Sequence, residues 1–300
     1  MINQIVKTKL TKIYLTVCDK YESELKYCCQ RFSNNNSPDF TDQEIMTIYL
    51  FCVHVEKRNK VIHMHEFVQN YLADWFPSLP SYVAFNTRLN NLTDAFRLFL
   101  NGLLEEFTPV GVCTKTSLLD SMPIITCSGK RQGKVAREIT DKSFCSTKNL
   151  YYYGVKMHAL GFRSKRQMPH PESIIITKAS ENDLKVFKEN WAVIEGRTFY
   201  GDKAYVNNDF FETLYEEKKS EMLTPVKAIK DQPLVLKQRD RAFNDLYSRA
   251  VSAVRQPIES MFNWIIEKTD IQRASKVRST NGLKIHIFGK LAAAFLNYIF

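Results

Sequence analysis

The sequence feature that constrains the fold most is a short apolar stretch that ends in an acid, at residues 198–205. Phe199 and Tyr200 lead directly into Gly201 and Asp202, and a segment with helical character follows. This pattern predicts a buried strand with a carboxylate at its C-terminal end, which is the edge where ligands bind in open sheets covered by helices. A carboxylate there is costly unless a cation or hydrogen-bond donors compensate it. We therefore expect other parts of the chain to compensate Asp202.

A second acid, Asp120, lies in the middle of a strand-like apolar run at residues 117–125. Alternation along a strand puts Asp120, Met122 and Ile124 on one face of the sheet. Acids within strands more often face solvent, but the apolar neighbours of Asp120 favour a functional role. Pro123 lacks a backbone donor, so we expect the strand to fray or bend just past the acid.

A third acid, Glu259, borders a helical stripe of apolar residues late in the chain. Arg255 precedes it by four residues and lies on the same side if the helix is continuous. Pro257 either kinks that helix or is the first residue of a new one. Most helical glutamates are surface residues, but the apolar stripe and the neighbouring arginine favour a functional role for Glu259.

The net charge of +10 is unevenly distributed along the chain. Residues 1–110 carry 11 Lys or Arg against 12 Asp or Glu, a balance of −1, whereas residues 111–300 carry 31 against 20, a balance of +11. The basic excess surrounds the three acids, which indicates a polyanionic substrate, with nucleic acid first and phosphorylated small molecules second. Residues 128–137 form a basic loop without acids, which is either a phosphate contact or a solvated surface loop.

Helical periodicity dominates the first part of the chain. The predicted helices cover residues 1–31, 45–52, 62–73 and 82–107. Thr41 and Glu44 have the spacing of a capping box before the second helix. The region is either a helix-turn-helix-like module that grips DNA or a helical bundle that docks on the second domain or on another subunit. In the first alternative the groove contacts come from Asn86, Thr87, Arg88, Asn90 and Asn91.

From residue 111 the pattern changes to strands, followed by alternating helices and strands. The predicted strands lie near residues 117–125, 151–160, 173–178, 198–202 and 222–226. The predicted helices lie near residues 181–195, 208–218, 251–265 and 282–300. This order predicts an α/β fold, a mixed sheet with flanking helices in which a meander precedes crossover units. We expect two domains, an all-helical one at 1–110 and the α/β one at 111–300, whose last helix packs on the sheet or joins a partner subunit.

Three carboxylates from two strands and a helix can hold two divalent cations about 3.5–4 Å apart. Oxygen ligands with open water positions favour Mg²⁺, for which Mn²⁺ can substitute. Asp120, Asp202 and Glu259 are therefore the predicted catalytic and metal-binding residues, with Asp120 as the bridge between the ions. The chemistry this predicts is in-line displacement at phosphorus. The residues predicted to contact DNA are Lys130, Arg131, Lys134, Arg137, Lys156, His158, Lys203 and Arg255.

Three short motifs together resemble the DDE transposases of bacterial insertion sequences. They are Leu-Asp-Ser at 119–121, Tyr-Gly-Asp-Lys-Ala-Tyr at 200–205 and Arg-x-x-x-Glu-x-x-Phe at 255–262. The length, the helical start and a Tyr-x-Gly-x-Lys-x-His segment at 152–158 are most similar to the family typified by insertion sequence 982. The resemblance covers nearly the whole chain. It implies a ribonuclease-H-like catalytic domain that moves DNA through attack of a 3′ hydroxyl on target DNA.

Two positions depart from this family pattern. Many relatives carry a tyrosine three residues before the arginine of the last motif, where this chain has Ser252. They also carry a lysine seven residues after the glutamate, where this chain has Ile266 and the nearest lysine is Lys268. These differences affect the expectations for hairpin formation and for contacts to the terminal phosphate, and they leave the three acids intact.

The resemblance also implies the partners and the location of the protein. It implies binding to terminal inverted repeats and to target DNA, as a homodimer, in the bacterial cytoplasm in association with the nucleoid. The sequence has no signal-peptide layout, and the apolar run at 291–300 is about half as long as a membrane span, so we expect no membrane association. Two alternatives are a DNA-binding protein descended from a transposase that has lost the chemistry, and another ribonuclease-H-like nuclease that acts on RNA or junctions.

Overall fold

A computed structural model describes most of the chain. The described residues are 3–29, 38–106, 112–130, 132–146, 148–165, 167–227 and 232–300. Arg131, one of the predicted DNA contacts, lies outside them. Within the described part, no helix combines the length and the apolar character that a membrane span requires.

The N-terminal region is helical, as predicted. Its helices are α1 Gln4–Ser23, α2 Asp42–His54, α3 Val61–Tyr71, α4 Tyr82–Asn91 and α5 Thr93–Glu106. The predicted capping box is confirmed, because the Thr41 hydroxyl accepts from the Glu44 amide at 3.2 Å and the Glu44 carboxylate accepts from the Thr41 amide at 2.6 Å. The prediction of one long helix over 82–107 was wrong. The chain breaks between α4 and α5, where the Thr93 hydroxyl donates to the carbonyl of Asn90 and competes with the helical pattern.

The α/β region forms one mixed sheet. Its strands are β1 Cys113–Ser128, β2 Asp141–Cys145, β3 Leu150–Arg163, β4 His170–Lys178, β5 Thr198–Tyr200 and β6 Glu221–Leu223. The strand order is β2-β3-β1-β5-β6, and β4 pairs with the part of β3 beyond β2. Pairs among β1 to β4 are antiparallel, whereas β1, β5 and β6 run parallel. This confirms the meander, the crossover units and the ribonuclease-H-like class, although β2 was not predicted.

The strand β1 does not fray at Pro123, so that part of the expectation was wrong, although a register irregularity follows between Ile125 and Cys127. Pro123 lies opposite Lys156 of β3, and β1 continues to Ser128. Residues two apart in a strand point their amides the same way, and the amide of Ile125 points away from β3, to the carbonyl of Gln272. The backbone nitrogen of Pro123 therefore points away from β3, toward the side on which β5 pairs. Because β5 pairs with β1 only as far as Leu118, the absence of an N–H at Pro123 removes no hydrogen bond between strands.

Helices cover both faces of the sheet. They are α6 Asp183–Asn190, α7 Asn208–Lys218, α8 Leu234–Arg255, α9 Pro257–Thr269 and α10 Thr280–Phe295. A smaller core joins one face of β1, through Leu119, to α6 and α7. A main core joins the opposite face, through Leu118 and Met122, to α9, α10 and the N-terminal helices. The alternation of β1 therefore places Asp120 on the face covered by α9.

The last helix packs mainly on other helices, and Tyr298 just beyond it contacts the ring of His170 in β4. α10 lies against α2, α5 and α9. It is apolar on nearly all sides, with residues such as Leu283, Leu291 and Phe295 buried, and a helix of that kind must be surrounded by other elements. The main core consequently contains residues from both sides of the predicted domain boundary at residue 110.

Candidate active site

The register of two parallel strands brings the first two acids to the same level. Leu118 of β1 pairs with Tyr200 of β5, so Asp120 and Asp202 each lie two residues beyond the same rung. Neighbouring strands are about 4.8 Å apart, which makes the two positions adjacent at the edge where β5 ends. Asp202 follows β5 as predicted. Its carboxylate accepts from the amide of Ala204 at 2.8 Å and so caps the short 3-10 turn Lys203–Tyr205.

A single guanidinium connects the third acid to this edge. Arg255 ends α8 and donates to the carboxylate of Asp120 at 2.6 Å and to the carboxylate of Glu259. Pro257 is the first residue of α9, which decides between the two alternatives for this proline. Arg255 and Glu259 nevertheless share one side, because the linking residue Gln256 keeps a helical conformation. The three predicted acids therefore converge around Arg255.

Negative charge exceeds positive charge at this point of the structure. Burial, with a smaller contribution from the charges of Asp202 and Glu259, raises the pKa of Asp120 to about 6, although Arg255 opposes the rise. Burial also raises the pKa of Asp202, to which the charge of Asp183 contributes. Carboxyl groups whose ionised forms are disfavoured in this way gain from an added cation.

The structure adds a fourth acid, Asp183, which the sequence did not single out. Its carboxylate lies 3.5 Å from the ammonium of Lys156 and 3.1 Å from Nδ1 of His158. Burial opposes ionisation of Asp183, but His158 and Lys156 together lower its pKa. The sequence pattern at 180–183 predicted only a helix start, and no other signal marks this residue.

Lys156 and His158 are largely hidden from solvent. Lys156 donates to the carbonyl of Glu181 at 2.7 Å, and Nε2 of His158 lies 2.9 Å from the hydroxyl of Thr177. The side chain of His158 has no exposed surface. The predicted DNA contacts of these two residues stay predictions, and their burial beside Asp183 favours a role in holding the acids.

Four other predicted DNA contacts are exposed. Lys130, Lys134, Arg137 and Lys203 lie at the surface, and no ion pair involves them within the described residues. The loop that carries the first three is anchored, since Val135 and Ile139 in it pack against the main core. Arg255 differs from this group because the two acids already hold its guanidinium.

A cavity of about 510 Å³ opens beside Asp202. Basic and hydroxyl side chains line most of it. The lining residues are Asp202, Lys203, Pro225, Asp245, Ser248, Arg249, Ser252 and Arg255. The cavity places hydrogen-bond donors next to a carboxylate, as a phosphate group near that carboxylate requires.

The donor set has the chemistry of a site for a hard divalent cation. Every candidate ligand is a carboxylate oxygen, and Asp120 and Asp202 both resist ionisation in the absence of further positive charge. Among the described residues, however, no group of three or more His, Cys, Asp or Glu side chains is arranged closely enough to hold a metal ion. Arg255 occupies oxygens of both Asp120 and Glu259.

A comparison with protein families identifies one match. The family described as "Transposase DDE domain" matches residues 112–296, which is more than half of the 300-residue chain. The matched range begins at β1 and extends through α10, so it contains Asp120, Asp183, Asp202 and Glu259. No curated protein and no solved structure matches the chain.

Proposed function

The chain belongs to the DDE transposase family, and on that basis we propose that it binds the ends of a mobile DNA element, cleaves DNA there and joins a 3′ hydroxyl to target DNA. Asp120, Asp202 and Glu259 are the proposed catalytic residues. The observation that carries the proposal is the convergence of these carboxylates, from two strands and a helix, around Arg255.

Transposases of this family use divalent metal ions. We propose that Asp120, Asp202 and Glu259 would hold two Mg²⁺ or Mn²⁺ ions. When bound, such ions activate the attacking oxygen and stabilise the leaving oxygen of an in-line displacement at phosphorus. Arg255 pairs with both Asp120 and Glu259 and partly compensates their charge, and it can turn toward a DNA phosphate once the carboxylates have other partners.

The basic residues near the acids are the proposed DNA contacts. Lys203 and Arg249 line the cavity beside Asp202, where they can hold a phosphate next to the acids. Lys130, Lys134 and Arg137 in the chain after β1 are further proposed contacts, and Arg131 is proposed from its position in the sequence. Lys156 acts differently in this proposal, because its charge partly opposes the rise in the pKa of Asp202 that burial causes. Asp183 and His158 hold Lys156 in place.

Several finer features belong to the same proposal. They are membership of the family typified by insertion sequence 982, a bacterial host, a homodimer on DNA and a nucleoid location in the cytoplasm. A transposase descendant that has lost the chemistry is less well supported, because all three acids are present and two of them share Arg255. A related nuclease acting on RNA or junctions would share the site but would not perform strand transfer into a second duplex.

The proposal is tested by nicking of a supercoiled plasmid that carries the genomic sequences flanking the coding region. We expect nicking that requires Mg²⁺ or Mn²⁺, and Asp202→Asn should reduce its rate at least about 100-fold while DNA binding is retained. Asp209→Asn removes an exposed acid at the start of α7 and is the matched control, with expected wild-type activity. Wild-type nicking rates in Asp202→Asn, or no metal-dependent nicking by the wild type, would contradict the proposal.

A further inference from the structure

A second concave surface lies away from the acids, between the helical N-terminal region and the chain around α10. It is a groove of about 550 Å³. One wall comes from α4 and the start of α3, and the other comes from residues 270–290. No part of the catalytic proposal uses it.

The groove is strongly basic. Lys60, Arg273, Lys276 and Arg278 line it and are exposed, and Lys290 lies at its floor with 2% of its surface exposed. None of these five cations forms an ion pair within the described part of the chain. The one acid among the lining residues is Asp270. Five cations against one acid repel one another unless anions lie between them.

The buried lysine supports an anionic ligand. The ammonium of Lys290 donates to the backbone carbonyl of Asp270 at 3.2 Å, and it donates no other hydrogen bond among the described residues. Burial lowers the pKa of Lys290 to about 8. An ammonium with free donors at the bottom of an open groove gains both charge compensation and hydrogen bonds from an anion above it.

The opposite wall presents neutral hydrogen-bonding groups. Asn86 and Asn90 of α4 line the groove, and a methyl group at Gly282 would lie 3.4 Å from the side-chain oxygen Oδ1 of Asn90, so the two walls approach closely there. Arg88, which the helix-turn-helix alternative assigned to a DNA groove, instead pairs with Asp42 at 3.0 Å and is largely buried. Helix α4 therefore faces the groove through amides, which contact phosphates readily.

A direct structural connection joins the groove to the active-site strand. Ile125 of β1 accepts from the amide of Ala274 at 2.9 Å and donates to the carbonyl of Gln272 at 2.8 Å. Five residues of extended strand, about 17 Å, separate Ile125 from Asp120. That length corresponds to roughly five base pairs of duplex DNA. One short DNA segment can therefore reach from the acids to the basic wall.

We propose that this groove binds the sugar-phosphate backbone of duplex DNA beyond the point of cleavage, with Arg273, Lys276, Arg278 and Lys290 as phosphate contacts. The identity of the ligand as DNA rests on the proposed function. The groove thereby gives the helical region and the C-terminal region a joint role in anchoring the DNA, separate from the chemistry at the acids.

The test removes three exposed cations of one wall together, in Arg273→Gln/Lys276→Gln/Arg278→Gln. Binding to a fluorescent duplex from the flanking genomic sequence is measured by anisotropy in EDTA at several salt concentrations. We expect affinity to fall at least about tenfold and the slope of log affinity against log salt to become shallower by roughly 2–3, since each lost phosphate contact contributes about 0.9. The matched control is Lys7→Gln/Lys9→Gln/Lys12→Gln on α1, which should bind like the wild type.

A variant on the opposite wall tests the same groove by gain of function. Asn86→Lys adds a cation there and should tighten binding severalfold with a steeper salt slope, a result that misfolding does not produce. Equal affinities and slopes for the triple variant and the α1 control would overturn the inference. This failure differs from that of the proposed function, because nicking by the wild type and its loss in Asp202→Asn are measured separately. If the variants change DNA affinity as expected but the wild type does not nick DNA, the groove is supported and the transposase proposal is contradicted.

Discussion

Arg255 is the residue on which the arrangement of the acids depends most. It is 14% exposed, and its guanidinium holds Asp120, itself 18% exposed, together with the more exposed Glu259. Breaking a buried ion pair by removing one partner leaves an uncompensated charge, whereas removing both partners does not. Removing Arg255 should therefore lower the free energy of unfolding mainly because it leaves the carboxylate of Asp120 buried and unpaired.

This dependence predicts a coupled pair of substitutions. In EDTA at neutral pH, Arg255→Met should lower the free energy of unfolding by about 2–4 kcal/mol, and adding Asp120→Asn should restore more than half of the loss. Urea denaturation of the single and double variants measures both values. Lys185→Met, which breaks an exposed pair with Glu181, is the control and should cost less than about 1 kcal/mol. Additive effects at Arg255 and Asp120 would show that the ion pair does not hold the site together.

At the scale of elements, the contact between β1 and β3 positions Asp120. The two strands pair along most of their length, with an irregularity in register between Ile125 and Cys127. Gly154 of β3 lies opposite this irregularity, and an added methyl group there would come within 2.0 Å of the carbonyl oxygen of Ile124. The strands can approach this closely only because residue 154 has no side chain.

The close approach predicts unequal effects of two glycine-to-alanine substitutions. Gly154→Ala should lower the free energy of unfolding by roughly 2–3 kcal/mol, because backbone must move to accept the methyl group. Gly102→Ala, in the interior of α5, meets only the flexible end of Lys20 at 3.4 Å and should be neutral or stabilising by up to about 1 kcal/mol. Thermal unfolding of both variants measures the difference. A Gly154→Ala protein as stable as the wild type would contradict the description of β1 and β3.

At the scale of the whole molecule, the main core passes through both predicted domains. Phe96 and Phe99 of α5, Phe295 of α10 and Met261 of α9 belong to one buried cluster. A hydrogen bond between His170 of β4 and the carbonyl of Leu104 also joins the sheet to α5. Shared burial of this kind makes the two regions unfold together.

The shared core predicts one cooperative unfolding transition for the full chain, with the same midpoint by fluorescence and by circular dichroism. A fragment of residues 111–300 should lack a sharp transition, since α10 would lose its contacts with α2 and α5. Urea titration of both proteins measures this. A fragment that unfolds as sharply as the full chain, with a similar midpoint, would instead support independent domains at 1–110 and 111–300.

The sequence by itself determined the features that depend on neighbouring residues: the helical start, the capping box at Thr41, the strands β1 and β5, and the positions of Asp120 within β1 and Asp202 just after β5. Hydrophobic period and turn chemistry act within a few residues, so they can be predicted from a single chain. Only the tertiary structure decided that Asp183 joins the acids, that Arg255 connects Asp120 to Glu259, that Pro123 interrupts no ladder and that α10 packs on helices. These outcomes depend on which surfaces meet across long stretches of chain, and local patterns contain no information about that choice because similar apolar faces can pack in several ways.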